Sequence, residues 1–68
     1  MDDIRLRLAK NLRALRREKG LSQEAFADEA GLQRTYVSEL ERCKRNPSIM
    51  IIEKLAVALG VSPGKLLD

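Results

Sequence analysis

Between Leu21 and Pro47 the chain reads LSQEAFADEAGLQRTYVSELERCKRNP, two short helical patterns with a single glycine between them. Phe26, Ala27 and Ala30 recur at i, i+1 and i+4, which gives the first segment one apolar side. Ser22 stands where its hydroxyl can accept a bond from a free amide of the first turn. Glu24 follows inside that turn, where a carboxylate suits the positive end of the helix dipole. Gly31 then occupies the position past the helix end at which the backbone turns left-handed and a side chain is penalised. Val37 and Leu40 restore helical spacing almost at once, so a second helix must start within a few residues. Two helices joined this tightly pack on one another as a helix-turn-helix, here spanning about residues 22–42.

The outer face of the second helix carries polar and cationic groups. At about 100° per residue, Arg34, Thr35, Ser38, Glu39 and Arg42 share one arc, with Val37, Leu40 and Lys44 opposite. Arginine can pair bidentately with guanine, and threonine or serine can bond base edges or touch a thymine methyl. Glu39 fits such a surface only by meeting a cytosine amino group or by restraining a neighbouring arginine. Tyr36 lies at the edge of the arc, where its hydroxyl can reach a phosphate or its ring can cover the core rim. Lys44, Arg45 and Asn46 form a basic corner beyond the helix, within reach of phosphates. Gln23 opens the first helix, where its amide can join the positive helix end in holding a phosphate. An ordinary solvated face is the competing reading of all these residues.

The same segment resembles the DNA-binding helix-turn-helix of the lambda-repressor-like family, also called the XRE family of bacterial and phage regulators. Gln23 matches the first position of that motif, Ala27 the small residue where the helices touch, and Gly31 the turn. Val37 and Leu40 match the apolar positions that lock the second helix to the first. Thr35-Tyr36-Val37-Ser38, Glu41-Arg42, Arg45-Asn46-Pro47-Ser48 and Ala56-Val57-Ala58-Leu59-Gly60-Val61 follow the family pattern, so the similarity extends from about Leu8 to Leu67. It implies an all-α, compact five-helix domain that acts as a sequence-specific transcriptional regulator on double-stranded DNA. Base contacts then fall to Arg34, Thr35, Ser38 and Glu39, and backbone contacts to Gln23, Tyr36, Arg42, Arg45 and Asn46. The Arg34-Thr35-Tyr36-Val37-Ser38 segment is similar to controller proteins of restriction–modification systems, and phage repressors and plasmid regulators share it. Two positions depart from the pattern. Gln33 stands where serine or threonine often caps the recognition helix, and Cys43 replaces a frequent glycine. A left-handed backbone at Cys43 would cost ~1 kcal/mol, so a different turn is the alternative there.

Length and charge agree with a small nucleic-acid-binding domain. The 68 residues suffice for one domain, residues 1–68, whose core is marginal enough for association to help. The net charge of +3 is unevenly spread: residues 1–20 carry +4, residues 21–33 carry −3, residues 34–46 carry +2 and residues 47–68 balance. A polyanion would therefore meet the first and third segments and leave the C-terminal third for other contacts. With no histidine, no nucleophile–base spacing and no phosphate-binding loop, an enzyme is the least supported class, and no cofactor or metal is implied. The single cysteine has no resolving partner in the chain for a redox switch. No apolar run approaches the roughly 18 residues of a membrane span, and Met1-Asp2-Asp3 is unlike a signal peptide. A cytoplasmic protein is expected.

The flanking segments complete the helices. Residues from about Asp3 to Lys19 lack glycine and proline, with Asp2 and Asp3 at the acidic end and Arg16, Arg17 and Lys19 at the basic end. Ile4, Leu8, Leu12 and Leu15 form their apolar stripe, while Arg13, Arg16 and Arg17 read mainly as solvated cations. A fourth helix from about Ser48 to Leu59 places Ile49, Ile52, Leu55, Ala56 and Leu59 inward. Ser62-Pro63 begins a short fifth through Leu66. Beyond these stripes Met50, Ile51, Val57, Ala58, Val61, Leu66 and Leu67 are apolar at sites where a monomer would gain from polarity. They predict a homodimer interface, and with it a palindromic operator. The alternative is an antitoxin-like protein-interaction module in which DNA binding is secondary.

Overall fold

The computed structural model describes residues 3–68. Asp2, expected beside Asp3 at the start of the first helix, lies outside them. Five helices follow in order: α1 Ile4–Glu18, α2 Gln23–Ala30, α3 Arg34–Glu41, α4 Ile49–Leu59 and α5 Pro63–Leu67. Among the described residues there is no strand, and no helix is long and apolar enough to cross a membrane. The caps explain the helix boundaries. The carboxylate of Asp3 accepts the Arg5 amide at 2.8 Å and pairs with its guanidinium, which holds the Asp3 carboxyl down to about 2. The hydroxyls of Ser22 and Ser48 accept the amides of Ala25 and Ile51. Gln33 provides no side-chain cap for α3, in line with its departure from the family pattern.

Helices α2 and α3 end in the same way. Gly31 has φ 70°, and the amide of Leu32 donates to the Ala27 carbonyl at 2.9 Å. Cys43 has φ 61°, and the amide of Lys44 donates to the Glu39 carbonyl at 2.9 Å. Each closes the six-residue ring of a left-handed helix terminus. Gly31 does so without steric cost, whereas Cys43 carries its side chain in that conformation. The turn after α3 thus keeps the geometry that glycine would favour, and the cysteine tolerates it.

Leu8, Leu12, Phe26, Val37, Leu40, Leu55 and Leu66 fill the interior, with Phe26 the largest side chain fully excluded from solvent. Helix α1 packs against α3, α4 and α5, and α2 bridges α3 and α4. Asn11 fixes the last of these relations, its amide donating to the carbonyls of Leu66 and Asp68, each at 2.9 Å. Arg7 donates to the Leu67 carbonyl at 3.0 Å. These bonds draw α5 across α1 and turn Leu66 inward, so Leu66, expected on the dimer surface, is instead wholly buried in the core.

Two more expectations about the apolar stripes need correction. Ile49 is 84% exposed rather than internal, because it sits at the free first turn of α4. It also lies about 90° from the centre of the stripe that Ile52, Leu55 and Leu59 define. Ile4 is similarly half out of the core at the first turn of α1, at 49% exposure. In compensation, Ala9 and Arg16 are buried on that helix.

Candidate nucleic-acid interface

The buried Arg16 anchors the surface that carries the polar face. It continues the i, i+4 line from Leu8 and Leu12, which carries its stem into the interface between α1 and α3. There Nε donates to Glu41 Oε2 at 2.6 Å and Nη2 to Glu41 Oε1 at 3.0 Å, a bidentate pair. Its Nη1 donates to the Leu21 carbonyl at 2.8 Å, and the Gln23 amide donates to Glu41 Oε1 at 3.1 Å. The Arg16 and Glu41 side chains keep only 9% and 4% of their exposure, so this is a desolvated network. The hydrogen bonds it donates to Glu41 hold the guanidinium above its ordinary pKa despite burial. Four groups from α1, the α1–α2 turn, the start of α2 and the end of α3 are thereby fixed to one another.

Gln23 consequently has a different position from that of a free surface amide. One N–H of its side chain is committed to Glu41, which leaves the second N–H and its backbone amide for a ligand. The first intrahelical bond of α2 runs from the Phe26 amide to the Ser22 carbonyl, so the amides of Gln23 and Glu24 stand ahead of it at the positive helix end. An anion placed there meets a rigid amide set.

Along α3, Arg34, Thr35 and Arg42 are exposed, and Tyr36, Ser38 and Glu39 are half-buried on the same flank. Val37 and Leu40 are buried beneath them, which holds the helix against α2. Arg42 leans back on its own helix, Nε to the Ser38 carbonyl at 3.4 Å. Arg45, from the turn beyond, folds over α3: its guanidinium carbon lies 4.7 Å from the centre of the Tyr36 ring. Its Nη1 donates to Glu39 Oε1 at 3.1 Å. Asn46 is exposed next to it. The residues chosen from the sequence thus share one flank of α3 and the turn beyond it, and Gln23 at the α2 N-terminus is joined to the end of α3 through Glu41.

The apolar residues assigned to association divide into three groups. Met50 and Val57 are 66% and 73% exposed, and lie on the side of α4 away from the core. Ile51, Ala58, Val61 and Leu67 are half-buried and pack against the core edge. Leu66 is internal, as described above. Beside Met50 and Val57 a groove of about 350 Å³ runs between α2 and α4, floored by Ala30 and Ala58 and edged by Glu29, Glu53 and Lys54.

What the sequence reading missed is the Arg16–Glu41–Gln23 network. Its signal was the spacing of Arg16 from Leu8 and Leu12 on the inward line of α1. A cation on an apolar line requires a buried partner, and Glu41 follows Leu40 on the core side of α3. Among the described residues no group of histidine, cysteine or acidic side chains could hold a metal ion.

Comparison with known proteins places this geometry. The HTH_3 helix-turn-helix family model matches residues 12–66. The control protein C.MunI of a Mycoplasma species is 45% identical over 67 residues, covering 97% of this chain and 90% of its own length. The crystal structure of the restriction–modification controller protein C.AhdI from Aeromonas hydrophila superposes with a TM-score of 0.88 at 47% identity, over 91% of this chain and 94% of that one. SinR, a master regulator of biofilm formation whose structure was solved in complex with DNA, superposes with a TM-score of 0.86 at 39% identity, over 90% and 98% of the two chains. The ridge on α3, the rigid amide set beside it and these similarities agree: the chain belongs to the HTH_3 helix-turn-helix family of DNA-binding transcriptional regulators, which are not enzymes.

Proposed function

We propose that this regulator inserts α3 into the major groove of a palindromic operator, acting in the cytoplasm as a homodimer. Arg34, Thr35 and Ser38 read base edges, and Gln23, Tyr36, Arg42, Arg45 and Asn46 position the protein on the sugar–phosphate backbone. The observation that carries this reading is the single polar ridge on α3, with the α2 N-terminus and the Arg45–Asn46 turn beside its C-terminal end. Its likeness to C.MunI and C.AhdI favours a controller protein of a restriction–modification system among the possible regulators. Selection of bound duplexes from a random pool tests the proposal. The recovered site should be a palindrome whose half-sites are about one DNA turn, ~34 Å, apart. Recovery of no consensus would reject it in favour of a protein-interaction module.

Arg34 is exposed at the first turn of α3, the end that leads into a groove. Arg34→Ala is expected to weaken operator binding by about 1–3 kcal/mol and to relax preference at one base pair per half-site. Competition among single-base operator variants checks this; an equal loss on every sequence would make Arg34 a phosphate contact.

Arg45 differs, because it lies beyond the helix. Its replacement by alanine should lower affinity with little change in preference, and reduce the slope of log affinity against log salt by about one for each protomer bound. Titrations over a range of salt concentrations measure that slope. An unchanged value would remove Arg45 from the backbone contacts.

A further inference from the structure

Resting on the reading just given, we infer that Glu39 is a specificity-determining residue that acts through Arg45: it withholds this cation from the backbone of non-operator DNA. The structure shows Arg45 held in two ways. Its Nη1 donates to Glu39 Oε1 at 3.1 Å, and its guanidinium lies over the Tyr36 ring at 4.7 Å. The carboxylate takes one edge of the guanidinium fork and the ring covers one face, so the group rests against α3 instead of reaching outward. Tyr36 and Glu39 are both half-buried, hence ordered by the helix beneath them. Arg45 is the more exposed member, beyond the turn at Cys43, with half its side chain in water.

An exposed pair of this kind is weak and opens readily. A phosphate oxygen can displace the carboxylate from Arg45, but only if it comes close, and Glu39 then stands unpaired in the field of the polyanion. On non-operator DNA, where α3 sits loosely, the exchange gains too little and Arg45 remains with Glu39. On the operator, base contacts from Arg34, Thr35 and Ser38 draw α3 to full depth, and the exchange becomes favourable. Withholding Arg45 thus denies the wrong complex a phosphate contact that the right complex gains, which is specificity obtained by penalising competitors. Glu39 contributes by restraint and not by reading cytosine, one of the two roles its chemistry allows.

The test compares Glu39→Gln with the wild type on two probes: the duplex recovered by selection, and a scrambled duplex of equal length and composition. Glutamine keeps the size of the side chain and removes its charge. The expected result is binding to the scrambled duplex about 3–10-fold tighter, with a salt slope steeper by about one per protomer. Affinity for the selected duplex should change less, so discrimination falls. In an Arg45→Ala background the same substitution should leave the salt slope on the scrambled duplex unchanged. An unaltered slope in the single variant would overturn the inference, and so would an equal slope change with and without Arg45. A loss of preference at one base pair in both backgrounds would make Glu39 a direct base reader and overturn it as well. Failure of the wild type to distinguish the two duplexes would instead reject the operator-binding reading itself. Thermal unfolding of Glu39→Gln should be close to that of the wild type, which separates these effects from loss of fold.

Discussion

Arg16→Ala is expected to destabilise the protein by about 3–5 kcal/mol, most of the folding free energy available to a domain of this size. The reason is what the substitution leaves behind. Glu41 would keep its place at the end of α3 with 4% of its side chain exposed and no guanidinium to accept from. The Leu21 carbonyl would lose its 2.8 Å donor in the same step. A buried carboxylate without its partner costs far more than the lost pair itself was worth. At roughly 4–8 °C per kcal/mol, the midpoint of thermal unfolding should fall by tens of degrees, measurable by the helical circular dichroism signal. The paired replacement Arg16→Met with Glu41→Leu should behave differently, with stability near that of the wild type or above it, since apolar groups of similar volume need no partners. That double variant would also release Gln23 from Glu41, and weakened operator binding in a stable protein would show that the network positions the interface as well as supporting the fold. A single variant Arg16→Ala that unfolds within a few degrees of the wild type would refute the desolvated-network account.

The helices were legible because each local signal had a separate cause. Ser22 and Ser48 cap, Gly31 and Gly60 turn left-handed, and Pro63 starts α5, all features that act within one helical turn. The ridge on α3 was legible for the same reason: helical phase alone separates Arg34, Thr35 and Arg42 from Val37 and Leu40. Errors arose where the outcome depended on how one helix lies across another. Ile49 fits the stripe of α4 by type, but the stripe does not say how far the neighbouring helices extend along it. Leu66 appeared as surplus apolar surface until the amide of Asn11, 55 positions away in sequence, fixed the course of α5. Arg16 and Glu41 are 25 positions apart, and neither indicates the other without the packing of α1 on α3. The same limit hid the stacking of Arg45 on Tyr36, which depends on the turn geometry that Cys43 accepts.

Introducing charge at both Met50 and Val57 is expected to give a folded monomer with operator affinity lower by about 10²–10⁴-fold. Both side chains are exposed, at 66% and 73%, so lysine at either position displaces nothing in the core, and the fold should survive Met50→Lys with Val57→Lys. They are seven residues apart on α4 and form one line on the side turned away from Leu55 and Leu59. The groove beside that line has small residues, Ala30 and Ala58, on its floor and Glu29, Glu53 and Lys54 on its edges. In the proposed dimer a two-fold axis would set this groove and the Met50–Val57 line against the same surface of a second copy. Half-buried Ile51 and Val61 would extend the contact at its margins, whereas Leu66 would remain internal. Loss of the proposed contact would separate the two recognition helices, so each half-site would have to be found independently and the gain from high effective concentration would be lost. Non-operator binding, which needs no symmetry, should weaken much less. Analytical ultracentrifugation of the double variant decides the matter: a sedimentation coefficient equal to that of a dimeric wild type would place the interface on another face of the molecule.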